Sequence, residues 1–170
     1  MKATSFLPGE VHVWTVALQS GAERIRHCET MLAENERSRA DRFMFPDDRR
    51  RYVAAHGALR EVLGHYLGRP PAGLVLGTRG EEKPLLASAD EAWLHFNLSH
   101  SGELAVIACA SEHEVGVDVE WMGEAVDLVG VLETFFSETE KAEWAALPEN
   151  EKRGAFFHAW VCKEAYVKGL

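Results

Sequence analysis

Four side chains in the last third of the chain have the types and spacing to do chemistry together. Asp118 and Glu120 sit two apart in Gly116-Val117-Asp118-Val119-Glu120, and alternate residues of an extended stretch project from one face. Glu164 and Lys168 sit four apart in the run Trp160 to Lys168, one above the other on a helix. Three carboxylates and an ammonium from two separate elements can therefore meet at one point. Carboxylates crowded in a partly dry site resist ionising together. A hard divalent cation removes that conflict, and Mg²⁺ favours a few carboxylates plus phosphate oxygens of a substrate. The plainer alternative is an acidic edge strand and a helix-surface pair contributing about 0.3–0.5 kcal/mol.

A second group points to anions. Arg37, Arg39, Arg42, Arg49, Arg50 and Arg51 fall close together, against Asp41, Asp47 and Asp48. They form either a solvated helix surface or a phosphate grip, since guanidinium offers a fixed fork of donors. The rest of the chain opposes polyanions. Net charge is −9 over 170 residues, and residues 111–170 carry 13 acidic against 5 basic side chains. Nucleic acid generally needs a basic footprint and is excluded as a partner. Runs such as Leu104 to Ala110 are too short to span a bilayer, and the N-terminus lacks the pattern of an export signal. Cys28, Cys109 and Cys162 have no C-x-x-C spacing, as expected of reduced thiols in a cytoplasmic protein. No Walker-type phosphate loop or Rossmann fingerprint is present.

The elements that must position these groups read as an α+β chain. Strands are expected at Val11–Ala17, Leu74–Gly77, Leu94–Leu98 and Leu104–Ala110. The last would turn at Ser111–Glu114 into a hairpin partner, Val115–Trp121. Glu23 to Phe45 is helical in character. A helix starts at Pro46-Asp47-Asp48, carries the apolar period Tyr52, Ala55, Leu59, Val62, Leu63, Tyr66, and ends at Gly68-Arg69-Pro70-Pro71. Helices follow at Asp127–Thr134, Ser137–Ala146 and Glu149–Lys168, the middle one opening on a Ser137/Glu140 capping box.

Taken in order, the segments resemble the 4′-phosphopantetheinyl transferase family, in its larger, pseudo-dimeric class with a W-x-x-K-E-A motif helix. They are Val11-His12-Val13-Trp14, Arg50-Arg51-Tyr52, Lys83-Pro84, Phe96-Asn97-Leu98-Ser99-His100-Ser101-Gly102, Gly116 to Glu120, and Trp160 to Lys168. The resemblance implies two pseudo-symmetric α+β halves: residues 1–112 with the coenzyme A-binding elements, and residues 113–170 with the metal-site strand and motif helix. It implies transfer of the phosphopantetheine arm of coenzyme A to a serine of an acyl or peptidyl carrier protein, with release of 3′,5′-ADP, by a cytoplasmic monomer.

Carried over residue by residue, the resemblance implies that Asp118, Glu120 and Glu164 hold Mg²⁺ (or Mn²⁺) against the diphosphate. Lys168 would sit over the phosphates, and Glu164 or Glu120 would take the serine proton. It implies that Ser99 and His100 lie near the phosphates, and that Arg51, Lys83 and Arg39 grip the nucleotide end and its 3′-phosphate. Glu36 stands near a position that is basic in some relatives. Trp160 is expected to pack the motif helix against the Asp118 strand. Members of this class continue past the motif helix. The second half is therefore expected to be incomplete, leaving Phe156, Ala159 and Tyr166 uncovered. A coenzyme A- or carrier-binding module without catalysis is the alternative function. A metal-dependent phosphodiesterase is a weaker one, opposed by the acidic field.

Overall fold

The computed structural model describes residues 5–79, 83–123 and 127–170. Its first half is built on a three-stranded antiparallel sheet in the order β1 (Val11–Ala17), β5 (Leu104–Ala110), β4 (His95–Ser101). β5 is the middle strand. It pairs Val11 with Ala110 on one side and His95 with Ala110 on the other. Its apolar run Leu104–Ala110 suits a position hydrogen-bonded on both edges.

Across one face lies α3 (Pro46–Leu67), begun by Pro46 in its first turn and ended by Gly68 at φ 62°. Glycine adopts this left-handed geometry without steric cost, which is why the helix stops there. Leu59, Leu63 and Tyr66 of α3 bury against Phe96, Ile107 and Cys109 of the sheet. α1 (Ala22–Met31) and α2 (Glu34–Ala40) cover the start of α3 through Cys28, Met31 and Tyr52. The single helical stretch expected over Glu23–Phe45 is thus two helices. The break comes at Leu32-Ala33, where the Ala33 N–H donates to Glu36 Oε2 at 2.8 Å. A small hairpin, β2 (Leu76–Arg79) with β3 (Lys83–Leu86), follows α3.

The second half is helical: α4 (Leu128–Phe135), α5 (Glu138–Ala146) and α6 (Glu149–Lys168). Ser137 and Glu140 form the expected capping box. Leu132, Phe136, Phe156 and Phe157 make a small apolar core, with Trp144 and Trp160 packed on it. Two expectations are corrected here. Phe156 is buried, because α4 supplies its cover. Trp160 packs on Phe135 and Phe156, with ring centroids at 5.2 and 6.5 Å, in the α4–α6 cluster. Tyr166 is exposed, as expected.

The hairpin expected between β5 and Val115–Trp121 is also corrected. Both edges of β5 are already taken, and residues 112–121 form no regular strand. The segment instead runs parallel to β4, held by alternate β4 side chains. Val117, Val119 and Trp121 donate their N–H groups to Asn97 Oδ1, Ser99 Oγ and Ser101 Oγ at 2.9, 3.4 and 2.9 Å.

Candidate functional site

The period-two run Asn97, Ser99, Ser101 on β4 sets the site. These side chains receive the backbone of residues 117–121, and two of them also donate to the acids presented there. Ser99 Oγ donates to Asp118 Oδ1 at 2.8 Å, and Ser101 Oγ to Glu120 Oε2 at 3.1 Å. Asp118 and Glu120 therefore do share a face, oriented by serines of the neighbouring strand.

The C-terminal turn of α6 closes on the same segment. Gly116 permits the approach: a Cβ there would stand 1.9 Å from the Ala165 carbonyl oxygen and 2.5 Å from the Gly169 nitrogen. No other residue type fits against that backbone. The close packing delivers Lys168, whose Nζ donates to Asp118 Oδ1 at 2.5 Å and to Ser99 Oγ at 3.4 Å. The Asp118 side chain is 2% exposed, and its other oxygen, Oδ2, is buried without a hydrogen-bond partner. A buried carboxylate oxygen left without a donor is costly unless a cation or donor reaches it.

That orphaned oxygen is the feature that suits a hard divalent ion. Glu120 is exposed and Glu164 half-buried. Among the described residues no three His, Cys, Asp or Glu side chains stand close enough to hold a metal. Asp118, Lys168 and Ser99 are therefore brought together and Glu120 is held by Ser101, but Asp118, Glu120 and Glu164 do not come together as a metal-holding group.

Next to this cluster opens a cavity of about 740 Å³, whose wall includes Arg39, Tyr52, His56, Ser99, His100 and Lys168. Among the described residues no Asp or Glu is on that wall, whereas Arg39 and Lys168 are. His100 is exposed as a residue, but partial desolvation of its ring and the positive charge of His56, Lys168, Arg39 and Arg51 lower its pKa from the ordinary value, which favours the neutral imidazole.

Of the expected nucleotide-binding residues, Arg39 and His100 are on the cavity wall. Arg51 is engaged by acids, donating to Glu103 Oε1 from Nε at 2.9 Å and to Asp48 Oδ1 from Nη1 at 3.1 Å. Lys83 opens β3, and its side chain lies outside the described part. The remaining arginines of the cluster are largely neutralised. Arg49 pairs with Glu29 and Asp41, Arg50 with Glu103 and Asp47, and Arg37 with Glu34.

Sequence reasoning did not single out His56, Tyr52 or Asn97 as site residues. Asn97 was signalled by the polar alternation of β4. His56 was signalled only by its place four residues after Tyr52 on an otherwise apolar helix face.

Comparison with known proteins decides the family. Residues 19–112 match the N-terminal 4′-phosphopantetheinyl transferase family model, and residues 114–170 match that of the 4′-phosphopantetheinyl transferase superfamily. The chain belongs to the 4′-phosphopantetheinyl transferase superfamily. It is 37% identical over 165 residues to the 4′-phosphopantetheinyl transferase HetI of Nostoc sp., covering 96% of this chain and 70% of HetI. It is 29% identical over 150 residues to the 4′-phosphopantetheinyl transferase psf-1 of Bacillus pumilus, covering 88% of this chain and 62% of that relative. A third relative, the L-aminoadipate-semialdehyde dehydrogenase-phosphopantetheinyl transferase of Xenopus laevis, is 30% identical over 157 residues, covering 84% of this chain and half (50%) of its own length. The chain thus spans between half and about two thirds of the length of these superfamily members. Among the described residues no helix is long and apolar enough to cross a membrane.

Proposed function

We propose that this superfamily member transfers the 4′-phosphopantetheine arm of coenzyme A to a serine hydroxyl of an acyl or peptidyl carrier protein, releasing 3′,5′-ADP. One observation carries the reading. A cavity of about 740 Å³ lined by Arg39, Ser99 and Lys168 adjoins, through those last two, a buried aspartate with one oxygen on Lys168 and the other without a partner. A cavity of this size suits a cofactor-sized ligand. Among the described residues its wall has no Asp or Glu to repel a polyanionic nucleotide; Asp118 stands behind one end and Glu36 behind the other.

In this reading Asp118 and Glu120, completed by Glu164 of α6, would hold Mg²⁺ or Mn²⁺ at the Asp118 end, which would supply charge neutralisation at the diphosphate. Lys168 and Ser99 orient a phosphate oxygen, and His100, as a neutral imidazole, donates one hydrogen bond. The serine oxygen of the carrier attacks the phosphorus bearing the pantetheine arm. A new P–O bond forms, the bridging P–O bond breaks, and the electron pair leaves on 3′,5′-ADP. The serine proton passes to Glu164 or Glu120. Such transfers rest chiefly on positioning and charge stabilisation, which fits side chains fixed by the β4 serines.

Arg51 and Lys83 are assigned to the nucleotide end together with Arg39. Residues 1–112 form the nucleotide-binding half and residues 113–170 the metal-bearing half of a monomer. Its unpaired thiols, two buried and one exposed, suit the reducing cytoplasm. The test is release of 3′,5′-ADP, followed by chromatography. It should require coenzyme A, a divalent cation and an apo carrier, and disappear when the carrier serine is replaced by alanine. Release without a carrier would point to a phosphodiesterase.

Because Asp118, Glu120 and Glu164 do not form a metal-holding group among the described residues, binding of coenzyme A without transfer is the second reading. Tight binding with no product would select it.

A further inference from the structure

The cavity has two ends of different chemistry. One holds Ser99, Lys168 and, behind them, Asp118. The other is formed by α2 and α3 and holds Arg39, Phe43, Tyr52 and His56. His56 belongs to a buried polar network there. Its ring stacks on Tyr52 with centroids 4.1 Å apart, and the Arg39 guanidinium stands 5.8 Å from the centre of the same Tyr52 ring. His56 Nδ1 lies 3.4 Å from Glu36 Oε1. Glu36 Oε2 accepts from Arg60 Nε at 2.7 Å, and Arg60, itself fully buried, also donates to the carbonyls of Pro71 and Leu74 at 3.0 Å.

Each bond in that network has a consequence for His56. Arg60 fixes Glu36, and Glu36 accepts from Nδ1, which sets the tautomer and the ring's direction. The Tyr52 stack sets the ring's plane. With Nδ1 turned to Glu36, Nε2 is the ring nitrogen left for a ligand in the cavity that His56 lines together with Arg39. A histidine held this way, next to an arginine, on a wall whose described residues include no Asp or Glu, is built to meet a compact anion.

Resting on the coenzyme A reading above, we propose that His56 is a further ligand-contacting residue, whose Nε2 hydrogen-bonds the 3′-phosphate of coenzyme A, with Glu36 as its positioning residue. The diphosphate is assigned to the Lys168 and Asp118 end. The monoester phosphate at the nucleotide end is the anion left for the Arg39 and His56 end. One proton, brought by the ring or by the phosphate, sits between Nε2 and the phosphate oxygen.

Calorimetry with coenzyme A and with dephospho-coenzyme A, which lacks only the 3′-phosphate, tests this on the full 170-residue chain. His56→Phe keeps the stack on Tyr52 and removes the donor. It should weaken coenzyme A about tenfold, the size of one charge-assisted hydrogen bond, while changing dephospho-coenzyme A less than about twofold. His56→Gln, whose amide nitrogen reaches near the Nε2 position, should fall between wild type and His56→Phe. It decides the matter if the phenylalanine variant does not fold. Coenzyme A binding at wild-type strength in the folded variants, or equal losses for both nucleotides, would overturn the assignment while leaving the cavity as the coenzyme A site. No binding of coenzyme A by the wild-type chain would overturn that reading and this inference with it.

Discussion

α3 and α6 are similar in length, 22 and 20 residues, and both carry residues assigned to the site, yet they are held in opposite ways. α3 buries twelve residues, from Tyr52 to Tyr66, between the sheet and α1–α2. α6 buries two, Phe156 and Phe157, both in its first half. Its last turn leaves Tyr166 and Val167 in solvent and touches the rest of the site through Gly116 and Lys168. The α2–α3 end of the cavity is thus part of a core. The Lys168 end depends on one close backbone approach and one ion pair. Elements needed for movement or completion by a partner tend to come from the less stable parts of a fold.

Perturbations of the two helices should therefore separate. The largest effect is expected from Gly116→Ala. Its Cβ collides with helix backbone rather than a flexible side chain, so α6 must move away, at a cost of about 3 kcal/mol. Hydrogen exchange should rise across residues 160–168 and stay unchanged in β5 and α3. Equal loosening of both halves would erase the distinction drawn here.

Glu36→Gln comes next, and acts on the other helix. It leaves the buried Arg60 charge uncompensated and should cost about 3 kcal/mol in urea unfolding. It also sharpens the pH dependence. Burial raises the Glu36 pKa, but hydrogen bonds from His56, Arg60 and the Ala33 amide outweigh it, leaving the pKa below the usual 4.5. A depressed carboxylate pKa contributes stability that is complete above the unfolded value and lost as pH falls through the folded one. The wild-type urea midpoint should fall below pH 4.5 more steeply than that of the Gln variant.

Lys168→Met should cost less in stability, about 2 kcal/mol, because the ammonium is a third exposed although Asp118 is buried. Its effect on transfer should be far larger, about a hundredfold or more in kcat, if it stabilises charge on the phosphates. A melting shift without an activity loss would reduce it to a structural partner of Asp118. The smallest change is Ser137→Ala, which removes the cap of α5 for about 1 kcal/mol and should leave coenzyme A binding untouched.

What the sequence revealed follows the same division. α3, β5 and α6 were legible because each is a local pattern: Pro46 and Gly68 punctuating an apolar period, seven apolar residues, a helical run ending at Lys168. The motif acids were legible as a pair on one face. The place of residues 115–121 was not, because it depends on β1 already occupying the edge of β5 that a hairpin would need, and strand order is a long-range property. β3 escaped notice because it is four residues long and contains Pro84. Glu36 looked like a departure from a basic position. The structure makes it the counter-ion of Arg60, a partner 24 residues away that no local pattern announces. His56 became visible only once Glu36, Tyr52 and the cavity were in place.

The central claim is tested most directly by the intact mass of an apo carrier protein after incubation with this chain, coenzyme A and Mg²⁺, alongside EDTA, Glu164→Gln and Asp118→Asn controls. The account predicts a gain of one phosphopantetheine arm, lost in all three controls. An unchanged carrier mass, with coenzyme A bound to the chain, would contradict transfer and leave a binding module. A gain that survives EDTA and both substitutions would contradict the acidic metal site.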